Sequence, residues 1–76
     1  MNKLQELRTK KGLSQGQLSK ETGISVRTLQ MYEQDHRDIS HAKIDVLLKT
    51  CIALDCDLGE LISPEFKDLY TAYIGE

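Results

Sequence analysis

Proline, cysteine and long apolar runs are all scarce in this 76-residue chain. Proline occurs once, at Pro64, so little interrupts helix formation. The two cysteines, Cys51 and Cys56, stand in an apolar context. Stapled mini-proteins use more cysteines at wider spacings, and no CxxC pair is present to hold zinc with His36 and His41. Both are read as reduced thiols, and no metal or other cofactor is expected. No apolar run approaches the roughly 18 residues of a membrane span. The opening residues Met1-Asn2-Lys3-Leu4-Gln5-Glu6 lack the apolar stretch of a signal peptide. The expectation is a soluble cytoplasmic protein. A catalytic constellation is missing too. The two histidines lie in or beside one polar loop with no nucleophile nearby, and the acids read as caps or surface groups. No enzyme is expected.

A chain of this length makes one domain, and it buries only about 60% of the surface its unfolded form exposes. The formal net charge of −2 speaks mildly against a nucleic-acid partner. Its distribution speaks the other way. Residues 1–43 carry eight Lys/Arg against five acids, a balance of +3, whereas residues 44–76 carry two Lys against seven acids, a balance of −5. One face suited to an anion, or ordinary scatter on solvated helices, would both give that asymmetry.

Capping signals predict helices throughout. Asn2 with Gln5 opens the first as a capping box, Leu4 and Leu7 share its face, and Gly12 stops it. Ser14 with Gln17 opens the second, and Gly23 ends it after about two and a half turns. Ser25 caps the third, with Leu29 and Tyr32 on one side. The fourth is expected from Ser40 or Lys43 to Leu54, with Ile44, Leu47, Leu48, Cys51 and Leu54 as its buried stripe. Asp57 with Glu60 opens a short fifth helix, and Ser63-Pro64-Glu65 is a further start signal. The fold class is all-α.

The segment from Leu13 to Glu33 carries the most information. It has Leu13-Ser14-Gln15 at its start, then Leu18, the small Ser19, the turn Gly23-Ile24-Ser25, Leu29 and the pair Tyr32-Glu33. These residues resemble the helix-turn-helix of the phage-repressor and Cro-type family, also called the xenobiotic-response-element (XRE) family. The resemblance extends to Arg8 before the segment and to Leu54, Leu58 and Leu61 after it, covering residues 3–62. It implies a five-helix lambda-repressor-like DNA-binding domain over residues 1–62, with the helix-turn-helix at 14–34. Residues 63–76 then form an added C-terminal helix and a candidate dimerisation element.

Residue by residue, the resemblance assigns Gln15 to a phosphate contact that also braces the recognition helix. Ser25, Val26, Arg27 and Met31 match positions that touch phosphates or base edges, flanked by Gln30 and Gln34. Arg27 can pair bidentately with guanine in the major groove, or it can contact a phosphate. Gln30 and Gln34 read bases or form a solvated face. Lys10, Lys11 and Arg37 are further candidates for phosphate contacts. Arg8 and Glu33 match a structural ion pair of the family. Three departures stand out: a longer loop over 34–42, Asp35 and Asp55 where glycine is usual, and an apolar Met31.

The implied function is a sequence-specific transcriptional regulator, read as a repressor that binds a near-palindromic operator in double-stranded DNA as a homodimer. Two rivals remain: a protein-interaction module such as the antitoxin of a toxin–antitoxin pair, and a scaffold that has lost DNA affinity. For the dimer, Leu58 to Ile74 is the candidate interface, because it is rich in large side chains. Its last helix could instead fold back on its own domain, or Tyr70 to Ile74 could pair as a strand.

Overall fold

Most helices begin where a polar side chain can accept the unpaired amides of a first turn. Asn2, Ser14, Ser25 and Asp57 accept from the backbone N–H of Gln5, Gln17, Thr28 and Gly59 respectively. Ser14 and Asp57 make full capping boxes with Gln17 and Glu60. The computed structural model describes residues 2–75. Its helices are α1 (Lys3–Lys10), α2 (Gln15–Thr22), α3 (Val26–Glu33), α4 (Ile44–Leu54), α5 (Leu58–Leu61) and α6 (Pro64–Tyr73). There is no strand among the described residues, and Tyr70–Tyr73 is helical. None of these helices is long and apolar enough to cross a membrane.

The core is built around α2 and α3. Leu18 and Leu29 are fully buried, joined by Leu4, Leu7, Ile24, Tyr32, Ile39, Leu47, Leu54 and Leu61. Burying each such leucine contributes about 1.5–3 kcal/mol. The chain reverses at positive φ at Gly12, Gly23, Asp35 and Asp55. The two aspartates therefore occupy left-handed backbone, which aspartate tolerates better than most residues.

Of the two expected starts of α4 the later holds, with Lys43 as its N-cap, and the expected buried side needs correction. The helix starts at Ile44, because Ile39–His41 forms a separate 3-10 turn that Asp38 caps. Its buried side is Leu47, Thr50, Cys51, Ala53 and Leu54, whereas Ile44 is 62% exposed and Leu48 48%. The helix is turned so that small Thr50 and Ala53 face inward and α2 packs against it. Thr50 enters without an unpaired hydroxyl, since its Oγ1 donates to the Val46 carbonyl at 2.8 Å.

The C-terminal segment is largely self-partnered. Leu61 and Ile62 are buried, and Leu58, Phe66 and Tyr70 half-buried. Phe66 meets the His41 ring edge-on with centroids 5.2 Å apart, and the Tyr70 hydroxyl donates to Asp57 Oδ1 at 3.1 Å. Only Leu69, Tyr73 and Ile74 of the apolar set remain exposed. Ser63 makes no side-chain cap for α6; its N–H donates to Ser40 Oγ at 2.7 Å and ties the helix start to the 3-10 turn.

Candidate nucleic-acid interface

The corner between α2 and α3 is fixed by backbone conformation and one hydroxyl. Gly23 sits at φ 78°, where a side chain would be strained. Buried Thr22 donates its hydroxyl to the Leu18 carbonyl at 2.8 Å and accepts the Ile24 N–H at 3.2 Å. Thr22 thus satisfies an amide that the turn would otherwise leave unpaired. Ile24 plugs the corner, and Ser25 caps α3, its hydroxyl also donating to Thr28 Oγ1 at 2.9 Å. The two helices are separated by Gly23, Ile24 and Ser25 alone.

The C-terminal end of α3 is anchored from three directions. Glu33 is buried and accepts from Arg8 through both carboxylate oxygens, Nε to Oε2 at 2.7 Å and Nη2 to Oε1 at 3.0 Å. Nη1 of Arg8 donates to the Leu13 carbonyl at 2.8 Å, so one guanidinium joins α1, the start of the motif and α3. Hydrogen bonding to Glu33 raises the Arg8 pKa above its ordinary value. Gln15 Nε2 donates to Glu33 Oε1 at 3.1 Å, which gives this half-buried residue a bracing bond from α2. From the other side, the Asn2 amide nitrogen donates to the Tyr32 carbonyl and to Asp35 Oδ1. The sequence marks Asn2 as a cap and gives no sign of its reach to Tyr32, whereas Thr22 carries a readable signal. That signal is a β-branched hydroxyl directly before the turn glycine.

The opposite side of α3 faces outward. Ser25, Val26, Arg27, Gln30 and Gln34 are exposed, and Met31 is half-buried. The only acid of α3 is the buried Glu33, so the exposed side offers a guanidinium, two carboxamides, a hydroxyl and an apolar patch with no negative charge. Exposed Arg37 lies over the Tyr32 ring, 5.9 Å from its centroid, which holds a second cation near the end of the helix. Lys10 and Lys11 are both exposed. They border a surface cavity with Asp55 and Glu60, and Lys11 Nζ lies 3.8 Å from Asp55 Oδ2.

Neither thiol is poised for reaction. Burial raises the Cys51 pKa and pushes that of Cys56 up to about 12. Among the described residues one group has metal-ligating side chains close together, Asp38, His41 and Glu65; all three are exposed and neither cysteine belongs to it.

An all-α, lambda-repressor-like domain that presents a clamped second helix beyond a glycine corner is a helix-turn-helix DNA-binding domain. A family described as helix-turn-helix matches residues 4–61. The chain belongs to this XRE/Cro-type helix-turn-helix family. Comparisons with curated proteins and with solved structures return no match.

Proposed function

We propose that the chain is a cytoplasmic transcriptional repressor that binds a near-palindromic operator in double-stranded DNA as a homodimer. The observation that carries this reading is the outward side of α3, which holds Arg27, Gln30 and Gln34 and no acid. In the major groove, Arg27 donates to guanine N7 and O6, and Gln30 and Gln34 reach neighbouring base edges or phosphates. Val26 and Met31 touch thymine methyls, while Gln15, Ser25 and Arg37 contact phosphates and set the register.

Selection of bound sequences from a random duplex pool tests the reading. The expected product is an inverted repeat with half-sites about 34 Å apart, one helical turn. A pool that shows no enrichment after repeated rounds would overturn it.

A further inference from the structure

Three large aliphatic side chains lie in a row on the outside of α4: Ile44, Leu48 and Ile52, at 62%, 48% and 79% exposure. On a small domain such a row marks a surface that has a partner. Resting on the homodimer reading above, we propose that this partner is α4 of a second copy, packed antiparallel with the two-fold axis at Leu48.

The residue spacing is self-complementary. Ile44 and Ile52 lie equally far from Leu48, so a two-fold axis there sets Ile44 against the second copy's Ile52 and Leu48 against its own equivalent. A receptacle is already present. Leu48, Cys51, Ile52 and Asp55 line an open cavity beside the row. Four residues at that spacing form the hole into which a facing helix inserts one side chain. At this register the inserted side chain is Ile44 of the second copy, which lies level with Ile52.

Charge agrees with the same register. Asp45 and Lys49 border one side of the row, and among the described residues neither makes an ion pair. Across the axis, Asp45 of one copy and Lys49 of the other fall on the same side, about 3 Å apart along the helix direction. The symmetry gives two such pairs. A parallel pairing would set like charges at equal heights instead.

Sedimentation of the full chain and three variants tests this, with far-UV dichroism to confirm that each folds. The parent is expected to be a dimer, and Leu48→Glu, which sets two carboxylates face to face, is expected to weaken it roughly a hundred-fold or more. Asp45→Lys and Lys49→Asp should each weaken self-association alone and re-form a dimer when mixed, a rescue that effects within one helix cannot produce. A folded Leu48→Glu chain that still dimerises as tightly as the parent overturns the α4 pairing and leaves the homodimer reading intact. A dimer disrupted by Leu48→Glu whose charge variants do not recombine overturns the antiparallel register. A parent chain that stays monomeric both free and on its selected operator overturns the homodimer reading and the pairing with it.

Discussion

Arg8 and Glu33, 25 residues apart, meet in a two-bond fork whose side chains are 12% and 4% exposed. That burial separates this pair from ordinary surface ion pairs, which contribute little. It also makes Glu33 a junction, because Gln15 of α2 bonds to the same carboxylate.

Replacing Glu33 with Ala leaves the Arg8 guanidinium and the Gln15 amide without their shared acceptor. Loss of one member of a buried pair costs about 3–5 kcal/mol. In a domain of this size the melting temperature should fall by more than about 10 °C. Thermal unfolding by circular dichroism checks this, and a fall of only a degree or two would show that water replaces the pair at no cost.

Gly23→Ala probes the corner. No atom lies within 4 Å of the added Cβ, so the penalty is backbone strain alone. It should be about 1–2 kcal/mol, with Gly23→Asn closer to the parent because asparagine enters left-handed backbone more readily. Urea unfolding of the two variants should rank them in that order; equal stability of alanine and glycine there would refute the strain argument.

Stability should fall in alkali. Burial raises the folded-state pKa of both thiols, that of Cys56 to about 12, while an unfolded thiol titrates near about 8.5. The neutral thiols' contribution is therefore complete below about pH 8.5 and is lost as pH rises toward the folded values. Tyr70, raised by its bond to Asp57, acts in the same direction. Urea midpoints measured across this range should drop for the parent and drop less for Cys56→Ser. Parallel curves for the two proteins would exclude the thiol as the source.

Arg27→Ala leaves the fold untouched, since the side chain is exposed. On the selected operator it should cost about 1–3 kcal/mol and relax discrimination at one base pair. Fluorescence anisotropy on operator and single-substitution duplexes reads both effects. Uniform weakening across all duplexes would reassign Arg27 to a phosphate.

Local chemistry is written in the sequence more plainly than orientation. Ser14, Ser25 and Asp57 announce their helices because a cap needs only its own neighbours, and Gly23 marks the corner for the same reason. The resemblance to a family supplied Arg8 with Glu33 and the outer side of α3. The facing of α4 was not legible. Helical spacing groups Ile44 and Leu48 with Leu47, Cys51 and Leu54, and only the packing of α2 on α4, with Thr50 and Ala53 buried, decides which edge of that band meets water. Asn2 was half legible. Its cap is local, but its bond to the Tyr32 carbonyl depends on where α3 ends in space.

The attachment of α3 differs between its two ends. Asn2, Arg8 and Gln15 all bind at or next to its last turn, whereas its first turn is held by the Ser25 cap and the Thr22–Ile24 corner. Mechanically the helix is a beam held at both ends, by the Thr22–Ile24 corner at one and by side-chain bonds from Asn2, Arg8 and Gln15 at the other. Releasing the far end tilts the whole helix about the corner, so substitutions at Asn2 or Gln15 should shift which base pairs are preferred as well as how tightly DNA is held.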